Sequence, residues 1–496
     1  MICVHRRRMR RAGILLHPTS LPGGHGTGDF GPEAKRFIDW LARAGVKAWQ
    51  VLPLVPPGAG ESPYSSSSAF ALSPWLIDLH GLVADGLLDA DALAHPPHVQ
   101  PHALDAQAMR SYKGPLLELA AKTALTTLRA EIDRYRASEA WVEDYALYVA
   151  LKTAHAQKAF ADWPAALRDR DGKAMAAARA EHKDAIEVQV ALQFLAERQW
   201  QALRSYAAAK NIAIIGDVPI YVDHDSADVW RERGAFQLDA RAQPLAVSGV
   251  PPDYFSELGQ LWGNPLYDWA ALAKTKHRFW VERMRRMYAL CDVVRIDHFR
   301  AFSAYWAVPA GAKDARKGEW KKGPGRLVFD DVFAQIGQRA IIAEDLGTLD
   351  ADVHALRDGL GFPGMVVLHF AFGGDAENAY LPHYHRQNAV AYTGTHDNDT
   401  TLGWWRAADD RTKDHVRRYY GIDGHDVAWD LVRSAMGSVA DLAVVPVQDV
   451  LKLGGDARMN MPSAAGGNWR WRMASGALTT DVADRLRGLV ELYGRC

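Results

Sequence analysis

The run Asp-Val-Val-Arg-Ile-Asp at 292–297 decides the fold, because it reads as a short buried β-strand that ends in a carboxylate. Two further runs have the same design, Ala-Ile-Ile-Ala-Glu at 340–344 and Ala-Tyr-Thr-Gly-Thr-His-Asp-Asn at 391–398. In a parallel barrel the carboxyl ends of the strands meet at one face, and that face carries the chemistry. The three runs therefore predict that their acids meet at the mouth of a barrel.

Five more apolar runs bring the number of predicted core strands to eight. Most of the eight are flanked by segments with helical periodicity, which favours an α/β fold of the (β/α)8 TIM-barrel type over an open sheet. The predicted strands are 13–16, 46–52, 212–218, 292–296, 340–343, 365–370, 389–392 and 442–447.

The spacing of these strands predicts one catalytic barrel over residues 1–496 with two insertions. Residues 53–210 are far more than one crossover needs, and much of this stretch is Ala-rich with helical periodicity. Residues 219–290 are rich in Gly, Pro and aromatic residues and are expected to form loops, and taken alone 249–268 predicts only a Gly/Pro-rich turn with buried aromatic residues. Insertions in a barrel usually extend the loops of the catalytic face.

Composition excludes several classes of protein. The formal net charge is −1, so there is no electrostatic case for binding nucleic acid or an anionic membrane. The basic N-terminus is followed by an apolar stretch of only 12–16, too short for a secretion signal, and no run approaches the roughly 20 apolar residues of a membrane helix. Three widely spaced cysteines make no disulfide framework, so a cytoplasmic location is expected.

Three acids at one mouth suggest glycosidic-bond chemistry, in which a pair of carboxylates does the work. Asp297 suits the nucleophile, because Arg295 lies two residues earlier on the same face of the strand and can hold the carboxylate ionised. Glu344 has the longer reach and suits the general acid/base. Asp397, preceded by His396, could bind the sugar hydroxyls whose hydrogen bonds strengthen in the transition state.

Asp345 leaves one question open. It would favour a protonated Glu344 by like-charge repulsion if both side chains pointed inward, whereas strand alternation could turn it away.

Two other chemistries have weaker support in the sequence. Gly26–Gly31 matches a dinucleotide fingerprint, but the preceding strand ends roughly ten residues too early for the phosphate turn. A metal-dependent hydrolase on the same fold would lack the usual His-x-His and His-Glu-x-x-His signatures. The histidines near strand ends that it would use are His17, His298, His369 and His396.

Ordered motifs over nearly the whole chain make it similar to a known family. Four of them resemble the conserved regions of the α-amylase clan, in the variant form of the amylomaltases, the 4-α-glucanotransferases of glycoside hydrolase family 77. These four are 216–222, 295–300, 343–347 and 395–398. Further matching segments are 13–22, 62–64, 249–256, 259–265 and 458–462.

The resemblance implies a role for each acid and a set of sugar contacts. It makes Asp297 the nucleophile, Glu344 the acid/base and Asp397 the transition-state stabiliser. It implies that a segment of an α-1,4-glucan is transferred to the 4-hydroxyl of glucose or a maltooligosaccharide through a covalent intermediate on Asp297, without cofactor or metal. The resemblance also implies a substrate loop over the cleft at 249–268. The implied substrate-binding residues are Tyr64, Asp217, Asp253, Tyr254, Phe255, Trp262, Asn264, Arg295, His396 and Asn460.

The chain departs from the family pattern near the cleft, and two alternatives remain at this point. Ser65, Ala301 and Ser463 stand where the family usually has other residues, so chain-length preference is open while the three acids are intact. One alternative is a retaining α-glucosidase or amylase-like hydrolase with water as acceptor. The other is a non-catalytic glucan-binding protein on the same barrel, against which the intact acids argue.

Overall fold

The apolar runs form a parallel sheet that curls into a barrel. The computed structural model describes residues 10–252, 256–347, 349–462, 464 and 466–496. The strands in this part of the chain are β1 (Arg11–Leu15), β2 (Ala48–Gln50), β3 (Ala213–Pro219), β4 (Ala246–Val250), β5 (Gln260–Pro265), β6 (Val293–Asp297), β7 (Ala304–Pro309), β8 (Glu319–Lys322), β9 (Ile341–Ala343), β10 (Gly364–Val367), β11 (Ala389–Tyr392) and β12 (Leu442–Pro446).

Eight of these strands pair in the order β10-β11-β12-β1-β2-β3-β6-β9, and all the pairs are parallel. They coincide with the eight predicted strands, with ends shifted by at most three residues, so the predicted barrel is confirmed. Most of their residues are buried, as β-branched runs between two apolar layers should be.

The seam between β9 and β10 nearly closes the barrel. The N–H of Ala343 donates to the carbonyl of Pro363 at 2.9 Å. The N–H of Met365 donates to the carboxylate of Asp345 at 2.7 Å, and that carboxylate also pairs with Arg357. Asp345 therefore points into the barrel wall, which settles its orientation in favour of strand alternation and leaves Glu344 to be tuned by other groups.

Helices cover the outside of the barrel. The first begins at Pro32 and ends at Arg43, with Gly45 at a φ of 73° just beyond it, as helix-capping signals predict. The α-helices in the described part of the chain are α1 (Pro32–Arg43), α2 (Leu79–Ala84), α3 (Ala106–Thr127), α4 (Arg129–Ser138), α5 (Val142–Ala154), α6 (Ala165–Arg168), α7 (Gly172–Glu181), α8 (Lys183–Ala209), α9 (Ala227–Arg231), α10 (Trp269–Lys274), α11 (Arg278–Leu290), α12 (Leu327–Ile336), α13 (Ala351–Leu360), α14 (Thr401–Ala407), α15 (Asp410–Tyr420), α16 (Val427–Gly437), α17 (Val447–Val450) and α18 (Thr480–Leu492). None of the described helices is long and apolar enough to cross a membrane.

The two insertions differ in structure. Between β2 and β3 lie α2 to α8, of which α8 is the longest with 27 residues. Between β3 and β6, where the sequence predicts loops, β4 and β5 form an antiparallel pair, and with β7 and β8 they make a second sheet in the order β5-β4-β7-β8. Glycines and prolines in and around β4 and β5 hide the alternation that marks a strand.

Candidate active site

The three predicted acids lie at the carboxyl ends of barrel strands. Asp297 is the last residue of β6, Glu344 directly follows β9, and Asp397 lies in the loop between β11 and α14. A chain of contacts runs from Asp297 through Arg295, Asp217, Tyr64 and His396 to Asp397.

Arg295 joins two carboxylates at the centre of this chain. Its Nη2 lies 2.9 Å from Oδ1 of Asp297, and its Nη1 donates to both carboxylate oxygens of Asp217 at 2.7 and 2.8 Å. The alignment follows from strand register, since Asp217 of β3 pairs with Arg295 of β6. Asp217 and Arg295 are almost fully buried, so the guanidinium is held rigidly against Asp297.

Tyr64 connects the two sides of the mouth. Its hydroxyl donates to Asp217 at 2.6 Å, and its ring stacks on His396 with centroids 5.1 Å apart and planes 11° apart. Burial and the charge of Asp217 raise the pKa of Tyr64 well above its usual value, so the phenol keeps its proton and remains a donor. Trp469, which the sequence analysis did not single out, lies 5.6 Å from the Tyr64 ring and 5.9 Å from that of His396.

Glu344 is held by backbone groups. It accepts the N–H of His298 at 2.6 Å and the N–H of Leu346 at 2.9 Å. His298 adopts a φ of 54°, a left-handed conformation that is uncommon outside glycine and recurs at functional sites. The residue after Asp297 thus reaches Glu344 through its main chain and couples the positions of the two acids.

Asp397 is tethered by residues from a distant segment. Nδ2 of Asn460 donates to its carboxylate at 2.6 Å, and Nη2 of Arg458 donates to its main-chain carbonyl at 2.6 Å. The N–H of Asn460 donates to the carbonyl of His396 at 3.1 Å, and Nε2 of His396 lies 3.4 Å from the Asp397 carboxylate. The loop therefore depends on residues some 60 positions away in sequence.

A buried carboxylate beneath this loop is a second residue that the sequence analysis missed. Asp449, on α17, accepts the hydroxyl of Thr393 at 2.5 Å and both the hydroxyl and the N–H of Thr401, at 2.8 and 2.7 Å. Nε2 of His369 lies 2.9 Å from the same Thr401 hydroxyl. Thr393 and Thr401 bracket the loop that carries Asp397, so one carboxylate pins both of its ends. An acid three residues after the end of the eighth strand was the available signal.

Asp297 and Glu344 differ in the pKa of their carboxyl groups. Burial and the nearby charge of Asp297 raise the pKa of Glu344 to about 7. Burial raises the pKa of Asp297 to about 6, although Arg295 acts in the opposite direction. Arg295 favours the ionised carboxylate, as expected, but burial has the larger effect on this pKa. Because 27% of the Asp297 side chain is exposed and its guanidinium partner is 2.9 Å away, Asp297 is the carboxylate of the pair that ionises first.

The remaining predicted contacts lie on the second sheet or beyond the described residues. Trp262, on β5, meets the His298 ring edge-on at 4.6 Å and is 38% exposed. The Asn264 side chain donates to the carbonyl of Val222 at 3.2 Å and accepts the hydroxyl of Ser248 at 3.1 Å, so it ties β5 to β4 and to the loop after β3. Asp253, Tyr254, Phe255 and the variant position Ser463 lie outside the described residues.

The histidines near the mouth serve as neutral partners. Burial lowers the pKa values of His17, His298 and His369 to about 3. Over the ranges that the structure describes, no three His, Cys, Asp or Glu side chains are grouped so that they could hold a metal ion.

Comparison with known proteins places the chain in a family. The family model described as 4-alpha-glucanotransferase matches residues 16–479. The chain is 46% identical to a chloroplastic/amyloplastic 4-alpha-glucanotransferase of Arabidopsis thaliana, over 98% of this chain and 86% of that protein. It is 45% identical to the 4-alpha-glucanotransferase of Thermus thermophilus, over 98% and 99%.

A solved structure is similar over the same length. The amylomaltase from Streptococcus agalactiae in complex with acarbose superposes with a TM-score of 0.96 at 36% identity, covering 98% of this chain and 99% of that one. These transferase relatives do not favour the hydrolase alternative, and they exclude the non-catalytic one. The chain belongs to the 4-alpha-glucanotransferases of glycoside hydrolase family 77.

Proposed function

We propose that this mouth transfers α-1,4-glucan segments by a retaining double displacement, with Asp297 as nucleophile, Glu344 as acid/base and Asp397 as transition-state stabiliser. The observation that carries the proposal is that two neighbouring carboxyl groups differ in protonation state. Asp297 is paired with Arg295, while Glu344, with a pKa raised to about 7, holds the proton. One ionised and one protonated carboxyl are what retention requires.

In the first step, a carboxylate oxygen of Asp297 attacks the anomeric carbon of the donor sugar. Glu344 gives its proton to the glycosidic oxygen, the bond between carbon and oxygen breaks, and the reducing-end fragment departs. The product is a glucan segment esterified to Asp297, and Glu344 is left ionised. Loss of the negative charge on Asp297 removes the repulsion that had raised the pKa of Glu344.

In the second step, Glu344 takes the proton of an acceptor hydroxyl, whose oxygen attacks the same anomeric carbon and releases Asp297. Asp397, oriented by Asn460, binds hydroxyls of the reacting sugar as positive charge develops on its ring. Arg295 and Asp217 keep the nucleophile in place, and Tyr64 and His396 supply an aromatic and polar surface for that sugar.

The preference for sugar over water requires an acceptor site. We assign it to the substrate loop at 249–268, where Trp262 offers an exposed ring beside His298. Asp253, Tyr254, Phe255 and Asn264 belong to the same loop. Donors would be α-1,4-glucans, and acceptors glucose or maltooligosaccharides. Each step uses side chains of the protein, so the mechanism calls for no cofactor.

Two broader statements are part of the proposal. The chain 1–496 acts as one catalytic unit, in which the insertions 53–210 and 219–290 build the walls of the cleft. The location is cytoplasmic, as the few scattered cysteines favour, although the plant relatives are named as chloroplastic or amyloplastic.

Product analysis on pure maltotriose tests the reaction. Transfer gives glucose together with a ladder of maltooligosaccharides longer than the substrate. Glucose and maltose alone, with nothing longer than maltotriose, would make the protein a hydrolase and contradict the acceptor site. An inactive Asp297→Asn variant serves as the control for contaminating activities.

A further inference from the structure

Two tryptophans stand out on the second sheet. Of the 17 in the chain, all within the described residues, Trp262 and Trp320 are the most exposed, at 38% and 43%. Trp262 lies on β5 beside the catalytic mouth, whereas Trp320 lies on the edge strand β8 and has no part in the mechanism above. A large apolar ring left in water is a candidate contact for a ligand.

Strand register places Trp320 on the outer face of this sheet. Leu261, Gly249, Trp306 and Trp320 lie directly opposite one another across the four strands, so their side chains share a face. Trp262 follows Leu261 and points to the other face, where it meets His298. The outer face thus carries its own apolar row, separate from the wall of the mouth.

Contacts on this face hold the Trp320 ring in place. The guanidinium carbon of Arg300 lies 4.1 Å from the ring centroid, and the Trp306 ring packs edge-on with centroids 5.3 Å apart. Trp306 is fixed in turn, because its indole N–H donates to the carbonyl of Ala315 at 2.9 Å. A ring that packs against neighbours before binding loses less conformational entropy when a ligand stacks on it than a free ring would.

The Trp320 ring and the Arg300 side chain stacked on it, together called the platform, lie beside the segments that follow two catalytic acids. Arg300 lies two residues beyond His298, in the loop after β6, and its Nη2 is 3.5 Å from the carboxylate of Asp350. Asp350 caps α13, after the loop that begins at Glu344. If Glu344 protonates the departing oxygen, the leaving and arriving chains lie on this side of the mouth, an inference that rests on the proposed function.

We propose that Trp320, backed by Arg300, is a remote subsite for glucose units on the acceptor side of long α-1,4-glucan chains. The apolar face of a glucose ring packs well on indole, and the Arg300 guanidinium, which also contacts Asp350, supports the ring. In this proposal only a long chain contacts Trp320, and a short chain bound at the three acids does not. Trp320 therefore selects for chain length without touching the reacting atoms.

The test compares a short and a long substrate in one set of variants. For Trp320→Ala we expect the ratio of kcat/KM for maltoheptaose to that for maltotriose to fall by about two- to tenfold, the size of one aromatic contact. Trp320→Phe should keep most of the ratio, because a ring remains. Tyr384→Ala, at an aromatic residue that is 49% exposed elsewhere on the surface, is the matched control and should leave the ratio unchanged.

A binding measurement on an inactive variant tests the contact with Trp320 without any contribution from turnover. In an Asp297→Asn background, Trp320→Ala should weaken maltoheptaose binding in calorimetry and leave the affinity for maltotriose unchanged. If Trp320→Ala does not fold, Trp320→Gln supplies the ring deletion on the same edge strand. An unchanged ratio in an enzyme that makes longer products from maltotriose overturns the platform alone. A wild-type enzyme that makes no longer products overturns the proposed function instead.

Discussion

The two walls of the mouth hold their acids in different ways. On one wall, Asp297 and Glu344 sit on or directly after strands, where register and neighbouring main-chain N–H groups set their positions. On the other wall, Asp397 lies in a loop that is tied down from outside, by Asn460 at the carboxylate and by Asp449 at the base. A strand positions an acid through its own neighbours in the sheet, whereas a loop needs contacts with residues far away in sequence to position its acid.

This difference separates two kinds of substitution. Replacing an acid on the strand-borne wall removes a chemical step and leaves its surroundings in place. Replacing a tether on the loop-borne wall leaves every reacting group present but less well placed. The first kind of substitution should abolish nearly all of the catalytic rate, whereas the second should reduce it only in part.

The largest effect is expected for Asp297→Asn. The amide cannot form the covalent intermediate, so kcat should fall by about 10⁴-fold or more, as for other essential nucleophiles. Arg295 keeps Asp217 as a partner, so the site stays assembled and glucan binding measured by calorimetry should persist. A fully active variant would show that the nucleophile is another residue.

The next effect in size concerns Glu344 and pH. In the wild-type enzyme, kcat/KM should rise as Asp297 loses its proton near pH 6 and fall as Glu344 loses its own near pH 7. Glu344→Gln should lower kcat about 10²- to 10⁴-fold and abolish the falling limb. A glucosyl fluoride donor, whose leaving group needs no proton, should recover the first step. A falling limb that survives in the variant would assign it to another group.

The smallest effect, and the sharpest test of the comparison, is expected for Asp449→Asn. The amide keeps the shape but disturbs the bonds to Thr393 and Thr401, so kcat should fall about tenfold with little change in KM for maltotriose. The matched control is Asp228→Asn, since Asp228 is also buried and accepts a main-chain N–H from Ala69 and the Ser68 hydroxyl.

Both of these variants should lose thermal stability, because each weakens buried hydrogen bonds to a carboxylate. Only Asp449→Asn should also lower kcat, because only this substitution displaces the loop that carries Asp397. Equal kcat losses in the two variants would mean that the loop is held by other contacts and that the two walls are less different than they look.

Prediction from sequence succeeded where the cause is local. The strand ending at Asp297 and the strand before Glu344 were evident because β-branched runs of this length have few other stable structures. It missed β4 and β5, because Gly249, Gly259 and neighbouring prolines interrupt the alternation that marks a strand. β4 pairs with β7, which lies far along the chain, and β5 pairs with β4, so both strands form despite their composition.

The sequence by itself determined the barrel, its eight strands and the acids at their ends, since each follows from a short pattern of side chains. Tertiary structure alone decided that Asp345 faces the wall, that Asp449 holds the loop of Asp397, and that Trp320 and Trp262 are the most exposed of the tryptophans. Those outcomes depend on contacts between residues far apart in the chain, and burial and hydrogen bonding at such contacts are set only once the whole fold has closed.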